Sequence, residues 1–195
     1  EKYVEFNLEA AKKNPDNDVA VQVLMNLRGM IEDEQVAEII DEMPEEMLEN
    51  EKVAYLKKGL DARKATAEGN MFVDFTVEHV FGYDRSVDPQ PLKKEVKFSD
   101  YVGKGTYVLV DFWSPWCGPC RRLMPALKEL YESYHPSGKL EILGVSCDRD
   151  ETAWLKAIEE DELPWLHIRD QRAEPYNPCD HYGISAIPTT ILINK

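Results

Sequence analysis

Apolar positions in residues 1–70 recur at helical spacing, interrupted at Asn14-Pro15, at Gly29 and around Met43-Pro44, and the pattern predicts four short helices. Val19, Val23, Leu24 and Leu27 fall on one face of the second helix, with Asp16 or Asp18 as its expected cap. Val53, Leu56, Leu60 and Ala67 repeat the pattern over residues 51–67, and Gly69 supplies a stop. Beyond it, Met71-Phe72-Val73-Asp74-Phe75-Thr76-Val77 is rich in aromatic and β-branched residues and reads as a strand. Residues 82–94 hold Pro89, Pro91 and several charges, which predicts a surface loop, followed by a short strand at 95–98 and a cap at Ser99. Strands and helices then alternate. Residues 106–112, 140–146, 165–168 and 189–194 read as strands, the first two parallel, and 117–134 and 152–160 as amphipathic helices. The expected organisation is a helical segment, 1–70, and an α/β domain, 71–195, with a lead hairpin at 71–98 and a core at 99–195.

Composition narrows the function. At 43% hydrophobic and 31% charged residues the chain is of the folding kind. A net charge of -14 without any basic stripe argues against nucleic acid. No run of eighteen apolar residues occurs, so a membrane link is expected only through a tether outside this chain. The sequence opens on Glu1, read as a processed or trimmed start that leaves the compartment open. Its four cysteines are too few to staple a domain of this size, and two stand as Cys117-Gly118-Pro119-Cys120.

A dithiol at a helix start is a chemical device. Unpaired N–H groups and the helix dipole stabilise a thiolate there, so Cys117 is expected to be the exposed attacking sulfur, and Cys120, one turn on, to resolve the mixed disulfide. The competing reading is half a zinc site, but Cys147, Cys179, His79, His135, His167 and His181 are dispersed, and no metal is expected. Cys147 and Cys179 are read as passive free thiols, with a regulatory disulfide as the alternative. His167 and His181 are read as ordinary polar residues. Asp111, six residues before Cys117 in an apolar strand, is expected to be buried with a raised pKa; the alternative is a strand-end carboxylate reaching water. Trp113 and Trp116 suit a core, although Trp116 beside the nucleophile better suits the rim of a docking surface.

The segment Val110-Asp111-Phe112-Trp113-Ser114-Pro115-Trp116-Cys117-Gly118-Pro119-Cys120 resembles the thioredoxin active site almost residue for residue, and Pro125 matches the family's helix-kinking proline. Ile187-Pro188-Thr189 resembles its cis-proline loop. That resemblance implies that Pro188 lies beside Cys117 and that the Ile187 main chain pairs with a substrate strand. A trans proline opening a strand is the alternative. It also implies that Trp116, Gly118 and Pro119 contact substrate and that Asp111 exchanges a proton with Cys120 through water. The lysine that thioredoxins place near that aspartate would fall around Gly144, where this chain has none.

Residues 72–77, residues 96–105 and Leu163-Pro164-Trp165 resemble TlpA/ResA-type members of the thioredoxin-like superfamily. The resemblance implies a central mixed sheet flanked by helices, and a thiol-disulfide oxidoreductase working as a reductant. Its partners would be proteins bearing cysteines or disulfides and an upstream electron donor, with no cofactor beyond the redox-active disulfide Cys117–Cys120. It further implies export to a bacterial periplasm or membrane tethering, with the cytoplasm as the alternative, and a linker role for residues 1–70. The strand and helix that the family adds after residues 189–194 are expected to be missing from these 195 residues. Three competing readings are a non-catalytic docking module on this scaffold, a thiol peroxidase and a metallochaperone. Peroxidases carry a lone cysteine in a Pro-Thr setting, and metallochaperones a wider cysteine spacing with a matching histidine.

Overall fold

The computed structural model describes residues 2–84, 90–172 and 177–195. The chain forms two compact units, Glu1–Met71 with Tyr182–Ala186, and Phe72–His181 with Ile187–Lys195.

The first unit is helical: α1 (Lys2–Lys13), α2 (Asp18–Leu27), α3 (Asp33–Asp41), α4 (Glu45–Leu48) and α5 (Glu51–Ala65). The one-turn α4 was not expected, because four residues after Pro44 are too few to show a period. Leu24, Leu27, Ile39 and Val53 lie at the centre of its apolar core, whereas Val19, expected there, is 49% exposed. Asn17, rather than Asp16 or Asp18, caps α2: its side-chain oxygen accepts the Val19 N–H at 2.9 Å. α5 stops at Ala65, short of Gly69: its C-cap Thr66 leaves helical geometry at φ -100°, ψ 12°, while its hydroxyl donates to the Ala62 carbonyl. Tyr182–Ala186 belongs to this unit through Arg63, which pairs with Asp33 and donates to the Gly183 carbonyl at 2.7 Å. Gly183 has φ +57°, and a Cβ there would stand 2.5 Å from the Gly59 carbonyl oxygen, so only glycine fits.

The second unit is a six-stranded mixed sheet in the order β2-β1-β5-β4-β3-β6. Its strands are β1 (Thr76–Asp84), β2 (Gln90–Lys97), β3 (Tyr107–Trp113), β4 (Leu140–Ser146), β5 (Leu166–Arg169) and β6 (Thr189–Ile193). β3, β4 and β5 run parallel, β6 pairs antiparallel with β3, and β1 pairs antiparallel with both β5 and β2. Among the described residues three α-helices complete the unit, α6 (Gly118–Tyr134), α7 (Glu151–Glu160) and the short α8 (Pro178–His181).

Two expectations for the lead segment fail. Residues 71–75 form no strand, and most of the loop expected at 82–94 is hairpin: β1 runs to Asp84 and β2 begins at Gln90. Pro91 sits in β2 because β2 is an edge strand, where a residue without an N–H is tolerated. The turn itself, with Pro89, lies outside the described residues. Ser99 caps no following helix; its N–H and hydroxyl bind the Asp74 carboxylate at 2.9 and 2.8 Å, tying the end of the hairpin to its start.

In β3 the side chains alternate between faces. Leu109 and Trp113 pack in the core cluster that holds Cys117, Cys120 and Met124 of the α6 region, so Asp111, between them, points to that same face. Val108, Val110 and Phe112 are buried on the other.

Candidate active site

β3 ends at Trp113, and a turn closed by the Cys117 N–H on the Ser114 carbonyl (3.0 Å) delivers Cys117 to the N-terminus of α6. Cys117 is the N-cap: its sulfur accepts the Cys120 N–H at 3.2 Å, and the first turn carries no acidic residue. Gly118 and Pro119 occupy the first two helical positions, where a missing or unpaired N–H costs nothing. Such a cap stabilises negative charge on sulfur. Pro125 interrupts the hydrogen-bond ladder farther along the same helix.

Cys117 and Cys120 are joined in a disulfide with Cα atoms 5.2 Å apart. Contrary to expectation, Cys117 is not exposed: it is 5% accessible, against 1% for Cys120. The physical reason is packing, since both residues lie in one apolar cluster with Trp113, Met124 and Ile187. Exposure passes instead to the neighbour, Trp116, whose side chain stands 70% accessible beside the sulfur. The Ile187-Pro188 bond is cis, and the Ile187 carbonyl oxygen lies 3.9 Å from the Cys117 sulfur, within reach of a thiol donor once the disulfide is reduced.

Asp111 is 1% exposed, and neither carboxylate oxygen has a hydrogen-bond partner among the described residues. Burial alone pushes its pKa up to about 7. A carboxyl group so placed takes and releases a proton near neutrality.

The register explains the absent lysine. Asp111 of β3 lies opposite Gly144 of β4, which lies opposite His167 of β5, forming one row across the sheet. A Cβ at position 144 would stand 2.7 Å from Nδ1 of His167 and 3.2 Å from Nε1 of Trp165. The volume a lysine would need is filled by a buried imidazole and an indole. His167 is therefore no ordinary surface polar residue. It is 8% exposed, its ring 6.3 Å from that of Trp113 and 5.9 Å from that of Trp165. A glycine inside an otherwise apolar strand was the signal in the sequence for that close approach.

A family model described as thioredoxin-like matches residues 105–195. Thiol-disulfide oxidoreductase ResA from Geobacillus thermodenitrificans is 33% identical over 133 residues, which cover 68% of this chain and 67% of that protein. The chain belongs to the ResA-type thiol-disulfide oxidoreductases. Among solved structures, the thioredoxin domain of a thiol-disulfide oxidoreductase from Bacteroides vulgatus is 34% identical with a TM-score of 0.54, covering 66% of this chain and 81% of that one. The likeness reaches tryparedoxin from Trypanosoma brucei brucei, 34% identical over 101 residues, 51% of this chain and 67% of that protein.

As in a ResA-type oxidoreductase, the chemistry is exchange of a disulfide between paired sulfurs, and the site holds its pair in the oxidised state. Arg121, directly after Cys120, does not face the sulfurs with a free charge: its guanidinium binds Asp161 (2.6 and 2.8 Å) and Glu160 (3.3 Å). The helix end contributes positive field at Cys117, and the Arg122 guanidinium lies nearby, 3.5 Å from where a Cβ on Gly118 would stand. Among the described residues no three His, Cys, Asp or Glu side chains converge as a metal site would require, and no helix is long and apolar enough to cross a membrane.

Proposed function

We propose that this ResA-type chain reduces disulfides in partner proteins outside the cytoplasm. The reading rests on one observation: a helix-capping Cys117 lies against the Ile187 carbonyl and the cis proline, with a proton-binding Asp111 buried under the same helix face. In the reduced chain the Cys117 thiolate attacks a partner disulfide, forming a mixed disulfide and releasing one partner thiolate, which takes up a proton. Cys120 gives its proton through water to Asp111 and attacks Cys117. The second partner sulfur leaves, and two electrons have passed to the partner. The Cys117–Cys120 disulfide remains, to be reduced by an upstream dithiol donor. Trp116, Gly118 and Pro119 form the rim against which the partner chain lies, and the Ile187 backbone pairs with it as an added strand.

The deciding measurement is the equilibrium potential of the Cys117–Cys120 couple in glutathione buffers. A reductant sits well below about -200 mV, and a value near about -120 mV would make the chain an oxidant and overturn the proposal. Attachment to a membrane, on this reading, uses a tether outside these residues.

A further inference from the structure

Two cysteines lie outside the active-site pair. Cys147 follows the last residue of β4, and Cys179 lies in α8, 32 residues later, yet their sulfurs stand 2.7 Å apart. A covalent S–S bond measures about 2.05 Å, so this contact is close to bonding distance without a bond.

Main-chain anchors hold both residues. The Cys147 N–H donates to the Trp113 carbonyl at 2.8 Å, and its own carbonyl accepts from Arg172 at 3.1 Å. The Cys179 N–H donates to the Asp170 carboxylate at 2.8 Å. Asp170, fully buried, also accepts the Arg172 N–H at 2.6 Å, and its own N–H donates to the Ser146 carbonyl at 2.9 Å. The pair is therefore fixed to the C-terminal ends of β4 and β5, the same end of the parallel strands at which β3 hands the chain to Cys117. Folding has already met the entropy cost of bringing the sulfurs together. The two also differ in access: Cys147 is partly exposed and Cys179 is 2% exposed.

We propose that Cys147 and Cys179 are a second dithiol–disulfide couple, which a small-molecule or protein disulfide oxidises to a cross-link between the end of β4 and α8. Cys147 loses its proton to water and attacks one sulfur of the oxidant R–S–S–R. The S–S bond breaks, and the first RS⁻ leaves and is protonated. Cys179 then gives up its proton and attacks the Cys147 sulfur, expelling the second RS⁻, which is protonated in turn. Two thiols have lost two electrons and two protons, and one disulfide has become two RSH. The contact with Cys147, then burial, pushes the Cys179 thiol up, which suits it to wait protonated and resolve rather than attack. The cross-link would tie the turn after β4, bonded to Trp113, to the segment eight residues before Ile187, and so stiffen both approaches to the active site. None of this depends on which way electrons flow at Cys117.

The test is thiol mapping of the full chain. The Cys117→Ser, Cys120→Ser variant is reduced, incubated with oxidised glutathione, quenched in acid, alkylated and digested for mass spectrometry. The expected result is a linked peptide pair containing Cys147 and Cys179. Its melting temperature should also rise by on the order of 5 °C over the dithiothreitol-treated form, a rise absent in the same variant carrying Cys147→Ala. If both cysteines stay alkylated, or each carries its own glutathione without linkage, the proposal is overturned. Should the double variant not fold, the same mapping on the unmutated chain reads the second pair directly, and free Cys147 and Cys179 beside a fully formed Cys117–Cys120 disulfide would count equally against it.

Discussion

The helical unit and the sheet unit treat buried polar groups in opposite ways. In the helices the charged side chains stay toward the surface, where Lys12 pairs with Glu38 and Arg63 with Asp33, while the interior is Leu, Ile, Val, Ala and Met. In the sheet unit, the Asp111 oxygens, the Ser114 hydroxyl and the Trp113 indole N–H are buried without a hydrogen-bond partner among the described residues, all within seven residues of Cys117. Each such group costs on the order of 1 to 3 kcal/mol. A fold tolerates that cost where the group has work to do, and here Trp113 packs in the cluster that holds Cys117 and Cys120, with Asp111 on the same face of β3. Local stability and chemistry are thus separated along the chain: one unit is built for packing, and the other carries a deliberate deficit.

The strongest way to break this comparison is Cys117→Ser. Removing the attacking sulfur should lower the turnover of insulin-disulfide reduction by at least about 1,000-fold while the far-ultraviolet dichroism stays unchanged; turnover within tenfold of the unmutated chain would remove Cys117 from the nucleophile's place. Asp111→Asn sharpens the comparison by moving stability and rate in opposite directions. The folded chain keeps a proton on Asp111 up to about pH 7, whereas an unfolded aspartate loses it near 3.8. Between those values unfolding releases a proton, so stability falls as pH rises, and the loss is complete above pH 7. The asparagine variant lacks that loss. It should be more stable than the unmutated chain at pH 8 by roughly 2 to 4 kcal/mol, with the difference gone near pH 3, and should resolve mixed disulfides about 100-fold more slowly. Urea unfolding at the two pH values, and single-turnover kinetics, read both.

The site was legible because its parts are nearly contiguous: Asp111, Trp116, Cys117 and Cys120 fall within ten residues, and the strand-to-helix hand-off between them is written in the apolar pattern. Pro188, far away in sequence, was reached through a motif rather than through periodicity. What escaped depends on register. That His167 lies across Gly144 from Asp111 follows only when β4 and β5 are paired in one alignment, and the Cys147–Cys179 contact needs that same pairing plus the placement of α8. The lead hairpin was misread for a different reason. Prolines and charges signal loops in general, and an edge strand accepts both because one side of it has no partner.

Leu24→Ala probes the comparison from the helical side. Leu24 is fully buried in that unit's core, and truncation should cost about 3 kcal/mol. Insulin turnover at 25 °C should change by less than about twofold, because no polar deficit or sulfur is touched. A tenfold fall in turnover would mean that the helical core and the dithiol are coupled after all.

The smallest expected effect separates two contributions at Arg63. Its guanidinium makes a two-pronged pair with Asp33 at 2.7 to 2.9 Å, and it also donates to the Gly183 carbonyl at 2.7 Å. The Asp33 side chain is 43% exposed, so the ion pair is worth at most about 1 kcal/mol and weakens in salt. The bond to Gly183 is to a neutral carbonyl and is less sensitive to ions. Arg63→Ala should therefore cost about 1 to 1.5 kcal/mol in dilute buffer and keep about half of that in concentrated salt. A cost that vanishes in salt would assign the whole contribution to Asp33. A cost that salt leaves untouched would show that Arg63 acts mainly as the clasp on Tyr182–Ala186, the segment that leads into the cis proline.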